Sequence, residues 1–324
     1  MIGLIADIGG TNARFALVNA EGVVMSERVV PCDAYPTLLD ACRDFLSDVS
    51  DAHPPRHAAF AVASPVVADR VKMTNHHWSF SIEETRRALS LENLRVVNDF
   101  LAVVLAIPHL REGDRVKIGG GEPTRDAPIV ALGPGTGLGM ASLVPSPTGK
   151  WIPVPGEGGH VTMAPADDLE TAVLSLLRKR LGHVSAERVI SGRGLVTLYK
   201  TLGQLEGLEV DEAITPPECS RRALDGSCDV CARALSMMCA MLGTVAANAA
   251  LMLGAQGGVF IAGGIIPQMT EAFARSPFRK RFEDKGRFGN YLAKIPTFVI
   301  TRPLPALLGL ATLVAAAARP DEPS

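Results

Sequence analysis

The sequence predicts an α/β protein of two lobes, the second lobe repeating the first. Short, wholly apolar runs such as Ala58–Ala63 and Val259–Ala262 read as central strands covered on both faces, since a half-solvated strand would alternate. Helical segments with apolar residues at three- and four-residue spacing lie between them. The opening pattern of apolar run, Gly-Thr knot and apolar run recurs at Ile129–Val144. In that recurrence Ala6 falls on Ala131, Gly10 on Gly135, Thr11 on Thr136 and Ala16 on Ala141. The 324 residues are ample for two lobes.

Composition narrows the function classes. Apolar residues make up 47% and charged residues 20%, an ordinary soluble balance. A net charge of −2 gives no basic footprint, so nucleic acid is not an expected partner. The six scattered cysteines read as reduced thiols. No basic-then-apolar signal segment is visible, since Asp7 interrupts the apolar start. Leu235–Leu253 carries Asn248, Gly243 and several alanines, which suit a helix buried in protein. Leu304–Ala318 is shorter than the roughly 20 apolar residues a span requires. The expectation is a soluble, cytoplasmic protein with no membrane partner.

The elements follow in order. Residues 1–18 read as strand, tight turn, strand, and Val23–Val30 as a third strand after the Glu21-Gly22 turn. Thr37–Ser50 has helical spacing at Leu38, Cys42, Phe45 and Val49. Ser64-Pro65 ends the Ala58–Ala63 strand. Ser81 and Glu84 have capping-box spacing for a helix start. Leu94–Val97 is a strand that runs into Asn98-Asp99-Phe100 and the helical Leu101–Ile107. Pro108–Thr124, rich in Gly and charge, reads as a hinge or crossover. After the second Gly-Thr hairpin, helix begins at Asp167 with Leu169, Val173, Leu176 and Leu177 on one face. Ser191–Gly194 reads as a glycine turn, Leu195–Leu202 as helix and Leu205–Pro217 as surface loop. Cys231–Leu253 is helical, Arg279–Tyr291 is charged and exposed, Pro296–Thr301 is a last strand, and Leu307–Ala318 a last helix. Arg319–Ser324 reads as a frayed tail.

Chemistry-bearing residues fall where strands run out: Asp7-Gly9-Gly10-Thr11, Asn98-Asp99, Gly135-Thr136-Gly137 and Gly263-Gly264. Ligands of open α/β sheets collect at the carboxyl ends of strands, so these features point to one shared site. None is a Walker loop or a G-x-G-x-x-G fingerprint. Gly9 and Gly10 allow positive φ and close approach, and the amides of residues 9–12 could form an anion cradle. Asp7 beside such a cradle calls for a cation, and Mg²⁺ suits a carboxylate and phosphates. A plain Gly-Gly hairpin with a capping Asp explains that stretch equally well. Asp99 is the best candidate for a base, with helix capping as its simpler role. Glu157 and His160, on a flexible glycine-rich loop, suit a polyhydroxylated ligand, and Glu187 is a further carboxylate. Glu157-x-x-His160 lacks a second ligand pair for a metal, and Cys228-x-x-Cys231 lacks the spacing of a zinc site.

The chain resembles the bacterial glucokinase family of ATP-dependent sugar kinases with the hexokinase-type, actin-like ATPase (ribonuclease H-like) fold. The resemblance rests on ordered motifs along nearly the whole chain. They are Asp7–Arg14, Met73–Trp78, Val97–Phe100, Leu132–Gly139, Gly156–His160, Glu187–Gly192, Ile261–Ile265 and Phe282–Phe288. It implies two α/β lobes with a duplicated βββαβα-type core and a cleft between them. Residues 1–109 with about 301–324 would form the small lobe, and 110–300 the large one. It implies phosphorylation of D-glucose to glucose 6-phosphate, a step of glycolysis, with ATP and Mg²⁺. Asp99 would be the base for the 6-hydroxyl, and Asn98, Asp99, Glu157, His160 and Glu187 would bind the sugar. Ala6, Asp7, Ile8, Gly9, Gly10 and Thr11 would form one phosphate-binding turn and Gly135-Thr136 the other. Gly263-Gly264 would lie near the nucleotide, with Mg²⁺ held by Asp7 through water and the chain a homodimer. No cysteine follows His160 in Val161–Pro165, unlike the zinc-bearing repressor-type sugar kinases, so no zinc is expected. Arg193 in the Ser191–Gly194 turn departs from the commoner family residue, with no consequence read into it.

Two other classes compete. A sugar sensor on this fold would carry an added DNA-binding segment or a degraded Asp99 site. An ATPase acting on a protein would lack the Glu157–His160 constellation. The sequence shows none of these departures. Hexose selectivity, and ATP against ADP or polyphosphate as donor, stay open at this level.

Overall fold

The computed structural model describes residues 3–49, 54–74 and 76–318. The expectations that touch Met1, Ile2, Ser50, Asn75 and Arg319–Ser324 lie outside the described residues. The chain divides into two compact units, Met1–Leu110 with Arg302–Ser324, and Arg111–Thr301.

In the first unit β1 (Gly3–Ile8), β2 (Asn12–Val18) and β3 (Val24–Pro31) form an antiparallel meander. Helix α1 (Leu38–Val49) follows, and β4 (His57–Val62) returns parallel to β1. A two-stranded ribbon, β5 (Arg70–Lys72) and β6 (Ser79–Ser81), leads into α2 (Ile82–Ala88), whose start Ser81 caps by accepting from the Glu84 amide. Strand β7 (Asn93–Asn98) then pairs parallel with β4, and α3 (Asp99–Ala106) begins at once. The sheet order is β3-β2-β1-β4-β7. Leu4, Ala6, Ile8, Ala58 and Phe60 pack into one core with Phe15 and Phe45, the latter from α1. Both faces of the sheet are covered, which is why every residue of β4 is buried.

The second unit repeats that plan. After β8 (Arg115–Gly119), strands β9 (Ile129–Pro134), β10 (Leu138–Pro145) and β11 (Trp151–Gly156) form an antiparallel meander. Helices α4 (Asp168–Leu181), α5 (Gly192–Glu206), α6 (Pro216–Leu224) and α7 (Asp229–Leu253) precede β12 (Gly258–Ile261). The short helices α8 (Thr270–Arg275), α9 (Phe278–Glu283) and α10 (Gly289–Lys294) lead to β13 (Thr297–Ile300). The order is β11-β10-β9-β12-β13-β8, with β9, β12 and β13 parallel, so meander and parallel pair recur as in the first unit. Helix α7 is long and apolar enough to cross a membrane, but 78% of its most apolar eighteen-residue window is buried in the protein. It is the central helix of this unit's core.

The structure corrects several sequence expectations. The Pro108–Thr124 segment contains β8, a charged edge strand paired antiparallel with β13. An edge strand has no need of two apolar faces, so composition hid it. Pro216 and Pro217 open α6 rather than closing a surface loop, because proline suits the first turn of a helix. Gly192 and Gly194 likewise belong to the first turn of α5, capped by Ser191, not to a separate glycine turn. On α4 the buried face is Glu170, Val173, Leu174 and Leu177, whereas Leu169 is exposed. Arg279–Tyr291 is exposed only in part: Asp284 and Gly286–Phe288 face solvent, whereas Phe282 of α9 is fully buried. Two of its arginines are satisfied internally: Arg279 donates to Ile295 O at 2.9 Å, and Arg281 to Glu170 Oε1 at 2.6 Å.

Helix α11 (Pro305–Ala318) joins the first unit, lying against α3, β1 and β4. A Cβ on Gly309 would stand 1.8 Å from Ala102 O, so α3 and α11 touch backbone to backbone. Gly309→Ala must push them apart. It is expected to lower stability by about 1–3 kcal/mol in urea unfolding; an unchanged midpoint would refute the contact.

Candidate active site

In the first unit the parallel strands end in register, with Ile8, Val62 and Asn98 side by side. Their carboxyl ends therefore present the Gly9–Asn12 turn, Ser64 and Asp99 along one sheet edge. The Gly9 N–H donates to Asn12 O at 3.0 Å, so it closes the hairpin and is not a free member of an anion cradle. Among the described residues, the amides of Gly10 and Thr11 donate to no backbone carbonyl outside the strand ladders. Neither Gly9 nor Gly10 adopts positive φ, contrary to expectation. Gly9 serves by close approach, since a Cβ there would meet Asn12 O at 3.3 Å. Ala6 and Ile8 are fully buried within the ladder and fix the turn from below.

Asp7 pairs across the hairpin with Arg14. Burial pushes its carboxyl above the usual range, and the Arg14 guanidinium only partly offsets this. A half-buried carboxylate that lacks full compensation, next to two open amides, is a donor set that fits a hydrated Mg²⁺ shared with a phosphate.

Asn98 caps α3, its side-chain oxygen accepting from the Phe100 N–H at 2.9 Å. Asp99 Oδ1 accepts from that same N–H at 2.8 Å. The capping role thus falls chiefly on Asn98, and Asp99 is the first helical residue, held at one oxygen. The Phe100 amide thus fixes one carboxylate oxygen of Asp99 at the start of the helix.

The second unit gathers the remaining residues around the β9–β10 turn. A Cβ on Gly133 would meet Ala262 O at 2.1 Å. Gly263 has φ +87° and would meet Pro134 O at 2.4 Å, so the loops after β9 and β12 abut as bare backbone. Gly192 N–H donates to Gly135 O at 2.9 Å, which docks the start of α5 on the same turn. A cavity of about 610 Å³ opens there, lined by Gly135, Thr136, Gly264, Arg193, Leu224 and Met269 among others. The structure thus unites Gly135, Thr136 and Gly264 at one cavity, while Gly263 is a packing residue behind them. Sequence reasoning missed the walls supplied by α6 and by Met269, and it read nothing into Arg193. The Pro216-Pro217 helix start was the available signal.

Glu187 reaches the same turn. Its Oε2 accepts from the Leu138 N–H at 2.9 Å, and a Cβ on Gly137 would meet that oxygen at 2.4 Å. Residues Val161–Met163 pair with Val184–Ala186 through Ala186 N to Val161 O at 2.9 Å and Met163 N to Val184 O at 3.0 Å. That pairing brings the Gly158–His160 turn, which Glu157 precedes, against the Ala186–Arg188 turn that carries Glu187. The Glu157–His160 segment is not a flexible loop. Gly158–His160 is a 3-10 turn seated on β10, where a Cβ on Gly159 would meet Leu138 O at 2.1 Å. Glu157 and His160 themselves are exposed.

Two other clusters lack the chemistry of a centre. Cys228 caps α7, its sulfur accepting from the Cys231 N–H at 3.3 Å, and burial raises the Cys219 and Cys231 thiols away from thiolate. Asp33, His76 and His77 offer donor atoms within 4.8 Å of one another. However, His76 Nδ1 accepts from the Trp78 N–H at 3.3 Å. The proton of the neutral ring is then on Nε2, which donates to Asp33 Oδ1 at 2.9 Å instead of binding a metal.

A family model described as Glucokinase matches residues 4–317. The chain belongs to the glucokinase family. It is 51% identical over 311 residues to a glucokinase of Paramagnetospirillum magneticum, covering 96% of this chain and 97% of that one. It is 49% identical over 308 residues to a glucokinase of Neisseria gonorrhoeae, covering 95% and 93%. The crystal structure of a glucokinase from an Antarctic psychrotroph superimposes with a TM-score of 0.87 at 37% identity, covering 97% of this chain and 99% of that one. The fold is the actin-like ATPase fold that glucokinases share with other sugar kinases.

The raised carboxyl of Asp7 has a measurable consequence. Its folded value lies above the unfolded 3.8, so the folded state holds the proton longer and stability falls as pH rises through that window. Asp7→Asn removes the penalty. In buffer free of divalent cations it is expected to unfold at a higher temperature than the parent at pH 7. That gain should vanish as the pH approaches 3.8. Equal midpoints at pH 7 would show that the charge is fully compensated.

Proposed function

We infer that the protein is an ATP-dependent glucokinase, which transfers the γ-phosphoryl of ATP to the 6-hydroxyl of D-glucose to give glucose 6-phosphate. Membership of the glucokinase family supports the reaction. The observation that carries the reading is the union, at one strand turn, of the 610 Å³ cavity at Gly135-Thr136 with Glu187, Glu157 and His160. That turn puts a nucleotide-sized space next to two carboxylates and an imidazole, which suit sugar hydroxyls.

Phosphoryl transfer needs positioning and charge stabilisation more than covalent help. Asp99 accepts the proton of the 6-hydroxyl as the oxygen attacks phosphorus, and its anchoring to the Phe100 amide sets the direction of its lone pairs. Asn98, Glu157, His160 and Glu187 hold the other hydroxyls. A sugar lacking one of these would leave a polar group unpaired, so selectivity follows from the same contacts. Gly135 and Thr136 in the second unit, and the Gly10 and Thr11 amides in the first, are each suited to binding phosphate oxygens. Arg193 and Leu224 border the cavity proposed for the nucleoside. Asp7 holds Mg²⁺ through water, and the bound ion would neutralise the phosphate oxygens. The family resemblance supports a homodimer acting in glycolysis in the cytoplasm.

A coupled assay of ATP consumption across a panel of hexoses tests the reading: glucose should be the preferred acceptor, and absence of sugar-dependent turnover would overturn it. Asp99→Asn is expected to keep glucose binding measurable while cutting kcat by about 10²–10⁴. Wild-type-like turnover in that variant would remove Asp99 as the base. Asp7→Ala should raise the Mg²⁺ concentration needed for half-maximal rate, and an unchanged requirement would refute the Mg²⁺ assignment.

A further inference from the structure

Two charged side chains line the 610 Å³ cavity, Arg193 and Arg221, and among the described residues no carboxylate lines it. Arg221 is committed elsewhere: it donates to both oxygens of Glu218, at 2.9 and 2.8 Å, and pairs with Asp225. Arg193 is exposed, and among the described residues its guanidinium has neither an ion pair nor a hydrogen bond. Helix stability does not account for that charge. Arg193 is the second residue of α5, where the helix dipole disfavours a cation, and no acidic residue stands in that first turn. A cation held at such a cost beside a cavity without negative charge fits an anionic ligand in the cavity.

The surrounding backbone shows where that anion would lie. Gly192 N–H donates to Gly135 O at 2.9 Å, so Arg193 directly follows the residue that docks α5 on the Gly135-Thr136 turn. The start of α6 meets the same place, since a Cβ on Gly192 would stand 3.3 Å from Pro216 Cβ. Leu224, at the other end of α6, lies roughly 12 Å along that helix. The cavity thus has an uncompensated charge beside the turn and an apolar wall at Leu224, away from it.

We propose that Arg193 is a specificity-determining residue for the phosphoryl donor, its guanidinium pairing with the phosphate chain of a nucleoside di- or triphosphate at the Gly135-Thr136 turn. This rests on the reading of the protein as an ATP-dependent kinase. The ligand class follows from the two sides of the cavity. A guanidinium is a planar fork of N–H groups that meets phosphate oxygens two at a time. A nucleoside leaves that fork without an anion. A di- or triphosphate fills it, while the base takes the apolar side at Leu224.

Titration of the full chain with the non-hydrolysable triphosphate AMPPNP, with ADP and with adenosine tests the assignment, adenosine being followed by ligand-observed NMR, which reads weak binding. Arg193→Gln is expected to weaken AMPPNP and ADP by about tenfold and to leave adenosine within about twofold. Arg193→Lys keeps the charge without the fork and should recover part of that loss. Raising NaCl from about 0.1 to about 0.5 M should narrow the AMPPNP gap between the parent and Arg193→Gln, because salt screens an exposed charge. Arg193 holds no ion pair among the described residues, so Arg193→Gln should unfold at the parent's temperature, and lost affinity is then not lost fold. In turnover the KM for ATP should rise about tenfold while the KM for glucose stays where it is. Equal AMPPNP affinity in Arg193→Gln overturns the proposal, and so does a gap that salt leaves unchanged. An equal loss for adenosine also overturns it, since that would put the guanidinium on the base. A parent that binds AMPPNP in an Arg193-dependent way but shows no sugar-dependent turnover would instead refute the proposed function and leave the Arg193 contact standing.

Discussion

At the end of β9 backbone has to touch backbone, and most of the second unit's active edge depends on that. Gly133 lies against Ala262, Gly263 against Pro134, Gly159 against Leu138 and Gly137 against the Glu187 carboxylate. A single Cβ at any of these points would fall between 2.1 and 2.4 Å from its neighbour, far inside contact distance. Most of these neighbours are main-chain atoms held in a sheet, so they cannot swing aside as a side chain could. The glycines therefore act together as spacers of zero width. They let two strand ends, a helix start and a 3-10 turn converge on one place, which is what a site for a large polar ligand requires.

Charges in the interior follow the same economy of space. Glu170 is 1% exposed yet sits on a helix whose sequence looks like an ordinary amphipathic one. It accepts from Arg281 Nη1 at 2.6 Å and from the Ala166 N–H at 2.7 Å, and Arg281 also reaches Asp167 at 3.1 Å. One ion pair thus ties the start of α4 to α9 across more than a hundred residues of sequence. A buried pair of this kind adds little net stability but is costly to break on one side. Its effect is to fix which helix faces which.

Much of the fold was legible because its signals are local. The apolar run of β4, the Ser81 cap, the paired Gly-Thr hairpins and the α7 helix all show in short windows of sequence. The missed pieces depend on partners far along the chain. Strand β8 is charged because it is an edge, and the α9 part of Arg279–Tyr291 looks exposed until Glu170 and Ile295 O are seen to receive Arg281 and Arg279. The candidate site divides in the same way. Asp99, Glu157, His160 and Glu187 were nominated as candidates from residue type and motif order, but the firmness of the Glu157–His160 turn was not legible. Glycine in sequence suggests mobility, whereas here Gly158 and Gly159 are close-packed on β10. The walls of the larger cavity, supplied by α6 and Met269, carry no chemical signature of their own and appear only once the helices are in place.

The return of α11 to the first unit gives the chain an order of assembly. During synthesis the strands and helices of residues 3–110 emerge before residues 111–301, yet the helix that packs on α3, β1 and β4 emerges after them. Through synthesis of residues 111–301 the first unit carries an uncovered face, while the second unit has all its strands and can complete its core. The first unit thus completes its packing after the second. Until Gly309 settles against Ala102, the helix bearing Asp99 stays incompletely packed. A nascent chain would therefore be expected to close the β9–β10 edge of its second unit before the start of α3 is fixed in its first.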